Sequence, residues 1–326
     1  MNKLKKVVKK LSWVWNDLLY KSNLKTIKTS NTDRRILVYH GVTKNAKTDI
    51  NSRFISTSLF EKHLLFYKTH FHVVSLEDYL AGASQQDKLT IAITFDDGYL
   101  NNLEEVLPLL EKHAIPATFF ITTIEKAGYK YLWPDLIDLY RYTGPKNATF
   151  LGMDFQKRKH EYVSTKGTLK QLLKSGKWLD KKEVCDQILA DNAFINDKRM
   201  FPYFKLMNEE QIKLLSNSPY ASIGSHALYH NCLTKVTLEE AQFEIKESKK
   251  HLEKLIDNPI DFFAYPDGDY NESLIEITKN SGYKHQLLLD YNDPKHPKDK
   301  RLANRFGINP YISFNNQMQC IIDGKY

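Results

Sequence analysis

The feature that most constrains this chain is an apolar run that stops directly on two acids. Thr90 to Phe95 has the β-branched and aromatic content of a buried strand, and Asp96-Asp97-Gly98 follows at once. Runs of the same kind recur at Arg35 to His40, Phe71 to Leu76, Ala117 to Ile121, Ala221 to Gly224, Phe262 to Tyr265 and Gln286 to Leu289. Helical patterning lies between them. Thr57 to Lys68 has a cap at Ser56 or Thr57, and Asn101 to His113 has a kink expected at Pro108. Leu238 to Ile256 has apolar positions that include Leu238, Phe243 and Leu252, and Glu272 to Lys279 follows. This alternation predicts an α/β layer or barrel, because parallel strands need crossovers that return them to the same end. In a barrel, polar residues at the strand ends build the site.

Residues from about 127 to 205 break that rhythm. The Gly144-Pro145 break, the Lys157-Arg158-Lys159 run and helical stretches over Thr168 to Ser175 and Lys181 to Ala193 predict an inserted, mainly helical subdomain.

Adjacent Asp96 and Asp97 point in different directions, so one carboxylate can bind a metal while its neighbour reaches a water. Asp-Asp-Gly alone is also an ordinary turn. Ser225-His226-Ala227-Leu228-Tyr229-His230 supplies the partner, since histidines four apart share one side if the segment forms a helical turn. Asp97, His226 and His230 then offer one oxygen and two nitrogen ligands. That set suits one divalent ion, zinc first with cobalt or nickel as alternatives, and leaves a position open for water.

Thr94-Phe95-Asp96-Asp97-Gly98 and Ser-His-x-x-x-His resemble the first two active-site motifs of the NodB-homology polysaccharide deacetylases, carbohydrate esterase family 4, which remove N-acetyl or O-acetyl groups from glycans. The similarity spans roughly Arg35 to Phe314 apart from the insertion. The resemblance implies a distorted (β/α)7 barrel, Asp96 as catalytic base, Asp97, His226 and His230 as metal ligands, and an N-acetylated glycan as substrate. Tyr39-His40-Gly41-Val42 resembles the early Tyr-His motif of the branch acting on poly-N-acetylglucosamine, which implies His40 as the acid for the leaving amine. His285, ahead of a late strand, is the reserve acid. Phe263-Ala264-Tyr265-Pro266-Asp267-Gly268 carries Ala264 where many members have an Arg that orients the base, and Arg305 is the candidate to restore that charge. Tyr265 and Asp267 are expected at the sugar groove, and the Tyr99 backbone N–H at the developing oxyanion.

The expected activity is metal-dependent removal of N-acetyl groups from an amino-sugar glycan or a lipid-linked glycan precursor. A glycan O-acetyl esterase is the nearest chemical alternative. A catalytically weak carbohydrate-binding protein, suggested by Ala264, is the alternative from another class.

The formal charge of +8 invites a nucleic-acid partner, but residues 1–30 hold eight lysines against Asp17, a net +7. The catalytic domain expected over residues 31–326 is therefore almost neutral, and no nucleic acid is expected. In the basic tail Leu4, Val7, Leu11, Val14, Trp15 and Leu18 fall on one helical stripe. Residues 1–20 are expected to lie on an anionic membrane surface, or else to pack on the protein or a partner. No run reaches the roughly 18 to 20 apolar residues that span a bilayer. The three cysteines stand far apart, and no apolar leader with a small-residue cleavage site is apparent. The expected location is the cytoplasm or the cytoplasmic membrane face, with an extracytoplasmic one left open.

Overall fold

Strands can pair in parallel around a closed ring only if each starts at the same end, which the intervening helices permit. The computed structural model, which describes residues 3–22, 26–27, 33–159, 161–190, 201–289 and 299–326, contains such a ring. Its members are β1 Arg34–Tyr39, β2 Thr90–Phe95, β3 Ala117–Ile121, β4 Ala221–Ser225, β5 Phe262–Ala264, β6 His285–Leu288 and β7 Leu302–Gly307. Each pairs in parallel with the next, and β1 closes the ring by pairing with both β2 and β7. This is the expected (β/α)7 barrel. All of β2 and β3 is buried, which explains why those strands read as continuous apolar runs without alternation.

Several local expectations change. The strand expected near 71–76 shrinks to His72–Val73, which joins β2 outside the ring, and β7 takes the remaining ring position. The irregularity expected at Pro108 lies just ahead of it. The chain makes a π-helical turn over Asn102–Val106 that runs into an α-helix from Leu107, with Pro108 in its first turn.

Among the other helices, α1 is Lys3–Lys21, α2 Thr57–His70 with Ser56 as its cap, α3 Trp133–Thr143, α4 Leu238–Ile256 and α5 Phe314–Asp323. Helix α4 turns Ala241, Ile245 and Leu252 inward but leaves Leu238 and Phe243 exposed, contrary to their expected place on its apolar side. Helix α1 docks on α5. Lys25 and Lys28 of the basic tail lie outside the described residues, and Leu4 and Val7 outside the described side chains.

The insertion contains the expected helices, at Leu169–Lys174 and Trp178–Ala190, with residues 191–193 outside the described residues. It also contains an unanticipated four-stranded antiparallel sheet made of Asn147–Phe150, Met153–Arg158, Glu161–Ser164 and Gly167–Thr168. The basic run marks a hairpin end, with Lys159 at a φ of 55°. Trp133, Leu136, Tyr140, Phe150, Tyr162 and Val184 form a second core, into which the barrel contributes Phe54 and Tyr99.

Strand register sets the site. Tyr39 lies opposite Phe95, and Ser225 opposite Ile121, so His40, Asp96 and His226 all leave the ring at its C-terminal rim. His285 lies opposite Phe262 at the start of its strand, at the other end of the barrel. Its position removes it as the reserve acid.

Candidate active site

The turn after β2 aims its two carboxylates apart. Asp97 and Gly98 both adopt positive φ, 79° and 83°. A Cβ at Gly98 would sit 3.3 Å from the Ile121 side chain, whereas Asp97 holds its left-handed conformation at a cost of about 1–3 kcal/mol. The Asp96 N–H donates to the Tyr39 carbonyl at 3.0 Å, tying the turn to the neighbouring strand end.

Asp96 faces Arg305 of β7. The guanidinium makes a two-pronged contact at 2.6 and 2.8 Å, and both side chains are buried. Burial pushes the Asp96 carboxyl up, but the Arg305 charge and hydrogen bonds together with His226 and His40 outweigh it and hold the group below its usual range. The positive charge that Ala264 does not supply thus arrives from another strand. Arg305 is spent on Asp96, and this, rather than a substrate contact, is where the structure places it.

Asp97 faces the histidines. Its Oδ1 lies 3.5 Å from His226 Nε2 and 3.2 Å from His230 Nε2, yet accepts no hydrogen bond of acceptable geometry. His226 Nδ1 lies 2.8 Å from the Ala264 carbonyl, which can only accept, so Nδ1 carries the proton and Nε2 keeps its lone pair. His230 Nδ1 has no such acceptor. The donor atoms of Asp97, His226 and His230 all fall within 4.8 Å of one another. Such convergence of buried electron pairs around an orphaned carboxylate oxygen fits a divalent cation. Burial lowers the His226 pKa; for His230 it acts in the same sense, but Asp97 reverses it and the net shift is upward.

The histidines meet by a different route from the expected helical turn. Residues 226–230 form an irregular loop with positive φ at Ala227 (61°) and His230 (55°). Neighbours hold it in place. The Trp133 indole donates to the His230 carbonyl at 3.0 Å, and Glu244 accepts from the Tyr229 N–H at 2.9 Å and from Asn231 Nδ2 at 2.6 Å.

Sequence reasoning missed Arg53. Its guanidinium donates to Asp97 Oδ2 at 2.9 Å, to Asp135 Oδ1 at 2.7 Å and to the Tyr99 hydroxyl at 2.6 Å, and Tyr99 in turn donates to Asp135 Oδ2 at 2.7 Å. Burial pushes the Asp97 carboxyl up, but Arg53 and His230 more than reverse this, leaving it well below the ordinary range. Asp135, in the first turn of α3, is pushed up to about 6 by burial against the opposing pull of Arg53. Arg53 sits in a loop without a motif, and Asp135 reads in sequence as an ordinary helix-start acid.

The remaining candidates separate. His40 stands at the rim, its carbonyl held by Asn102 Nδ2 at 2.9 Å; burial lowers its pKa to about 4, with Asp97 opposing. The Tyr265 phenol is fully buried and bonded to Thr278 and Gln286. It packs behind the strand end, and the expected side-chain contact with a sugar is not available to it. The Tyr99 side chain is likewise consumed by Arg53 and Asp135. Asp267, at a φ of 56°, accepts from Cys232 Sγ and pairs with Lys174 of the insertion, both at 3.0 Å. Burial raises its pKa, but His230 and Lys174 bring it down to about 2.

The polysaccharide deacetylase family profile matches residues 83–285. A Bacillus subtilis (strain 168) protein bearing a polysaccharide deacetylase name, YxkH, is 20% identical over 282 residues, 85% of this chain and 72% of that protein. Two solved structures share the fold: the Streptococcus pyogenes deacetylase PplD in complex with acetate, and IcaB from Ammonifex degensii. Each is 18% identical with a TM-score of 0.55, over 89% of this chain and 98% of the other.

Proposed function

The chain belongs to the polysaccharide deacetylase family, and from that premise we propose that it hydrolyses the N-acetyl amide of an amino sugar in a glycan or a lipid-linked glycan precursor, using one divalent ion held by Asp97, His226 and His230. The observation that carries this reading is the buried, orphaned Oδ1 of Asp97 facing two histidine nitrogens beside an arginine-held Asp96.

A divalent ion bound there supplies Lewis acidity toward the acetyl carbonyl and the attacking water. Asp96 takes one proton from that water. Its depressed pKa keeps it ionised and able to accept, and the paired Arg305 fixes the direction in which the carboxylate points. The water oxygen bonds to the acetyl carbon, the carbon–nitrogen bond breaks, and the sugar nitrogen gains the proton that Asp96 took, while the water's second hydrogen leaves with the product as acetic acid, which ionises to acetate in solvent. A single proton passed to nitrogen therefore balances the reaction. His40 is assigned to present it to the nitrogen, and because burial leaves that imidazole neutral at pH 7, it receives the proton during turnover rather than carrying one in.

A cavity of about 730 Å³ lies between the loop after His40 and the turn after Tyr99, lined by Thr43, Lys44, Asn101, Glu104 and Tyr203 among others. Its mixed hydroxyl, amide and charged lining suits sugar hydroxyls.

The test is mass analysis of N-acetylated and O-acetylated oligosaccharides after incubation with zinc-, cobalt- or nickel-loaded protein. Loss of acetyl from nitrogen, abolished by Asp96→Asn, is the expected result. Loss only from oxygen would transfer the reading to the esterase, and binding without acetate release would leave a carbohydrate-binding protein.

A further inference from the structure

Helix α1 is mounted in the reverse of the usual sense for a surface helix. Its polar and aromatic side faces the body. Asp17 Oδ1 accepts from Ser313 Oγ and from Asn316 Nδ2, Asn316 Nδ2 also lies 3.1 Å from the Trp13 carbonyl, and Trp13 packs against the main core. Tyr20 is buried. The opposite side is apolar and faces outward: Val8, Leu11, Val14, Trp15 and Leu18 are each between 55% and 63% exposed. At 3.6 residues per turn these five side chains cover an arc of about 120°.

A helix held only by core packing would turn those residues inward. Here Asp17 and Asn316 fix the opposite orientation, so the apolar arc is presented to something outside the chain. Charge identifies the class of partner. Asp17, the one acid of the helix, is turned away and hydrogen-bonded, while Lys10 and Lys21 are exposed and lie beside the arc on the helical wheel. A second copy meeting this face antiparallel across a twofold axis would set Lys10 of one copy toward Lys21 of the other, cation toward cation. An anionic lipid surface meets both features at once, with phosphates for the lysines and acyl chains for Leu11, Trp15 and Leu18. No described helix is long and apolar enough to cross a membrane.

We propose that α1 is a docking face for an anionic bilayer surface, lying in the interfacial plane with its apolar arc toward the acyl chains while α5 holds it to the barrel. The proposal stands on the orientation of α1 and is independent of the reaction assigned to the barrel.

The experiment is sedimentation of the full chain with phosphatidylcholine vesicles, with and without phosphatidylglycerol, across a salt series. Sedimentation velocity without lipid runs in parallel. The wild type is expected to partition onto the anionic vesicles, less so in high salt. Leu11→Gln/Trp15→Gln/Leu18→Gln should bind at least about tenfold more weakly, since little apolar area remains to insert. Lys10→Glu/Lys21→Glu keeps the apolar arc and should lose the preference for anionic lipid, which keeps the test decisive if the triple variant folds poorly. Wild type that stays in the supernatant, or variants that sediment like it, would overturn the proposal. So would a lipid-free wild-type dimer that the triple variant abolishes, because the face would then belong to a second copy.

Discussion

Replacing Arg305 with Met should expose how much of the barrel's stability depends on the partner of Asp96. Arg305 is 0% and Asp96 2% exposed, and their contact is two-pronged at 2.6 and 2.8 Å. Removing one partner of such a buried pair strands the other charge, at a cost of about 3–5 kcal/mol. Asp96→Asn strands the guanidinium and should cost a similar amount. The double variant leaves no uncompensated charge, so its loss should fall well short of the sum of the two singles, with a coupling of about 2–3 kcal/mol. Arg305→Lys keeps the charge but cannot reproduce the planar fork, and should recover only part of the loss. The assay is urea unfolding of chelator-treated protein followed by circular dichroism, which separates the pair from any contribution of bound metal. Single-variant losses below about 1 kcal/mol, or a double-variant loss equal to the sum, would refute the argument that this pair holds the site as a unit.

Four further outcomes are expected. His226→Ala and His230→Ala should each lose most of the roughly one zinc, cobalt or nickel ion per chain found by elemental analysis of untagged protein; full occupancy in both folded variants would reject the ligand set. His40→Ala should keep its metal and lose about 10²- to 10⁴-fold in N-deacetylation, with a smaller loss on an activated acetyl ester whose leaving group needs little protonation; equal losses on both substrates would dismiss His40 as the acid. Arg53→Met leaves Asp97 and Asp135 buried without their cation, so zinc should raise the melting temperature of the variant more than that of the wild type; identical shifts would show that Arg53 does not share Asp97 with the metal. His63 is buried, with Nδ1 on the Tyr39 hydroxyl and its pKa lowered to about 3, so only the unfolded chain takes up its proton as pH falls below 6.5. It should contribute a stability loss of up to about 1.4 kcal/mol per pH unit between the two values, and His63→Gln should flatten that slope; an unchanged slope would contradict the burial argument.

The barrel and the Asp97–His226–His230 cluster at its rim were legible because strand ends are local features. An apolar run stopping at Asp96-Asp97-Gly98 announces both a strand and the residues at its mouth, and β4 leading into His226 does the same. Arg305 could be suspected from sequence only because Ala264 left a charge missing. Arg53 and Asp135 had no such prompt: they stand 82 positions apart, and their value lies in the pairing. The His226–His230 loop misled in mechanism, since four-residue spacing suggests a helical turn while two left-handed residues do the work instead. The sheet of the insertion was hidden by its short, half-exposed strands, in which charged residues alternate with the few buried ones. Leu238 and Phe243 show the converse, apolar residues on an amphipathic helix that face solvent.

The partnership of Asp96 with Arg305 also has a temporal side. The two residues are separated by 209 positions, and Arg305 lies on the strand that closes the ring against β1. At about 5–20 residues per second, a nascent chain carries the finished Asp96 segment for some 10–40 s before its partner is made. During that interval β1 can already pair with β2, but Asp96 has no arginine and the ring has a gap. Closure of the barrel and arming of the carboxylate are thus completed by the same six residues, Leu302–Gly307. A polypeptide released before that strand emerges carries both aspartates and both histidines and still lacks the cation that pairs with Asp96.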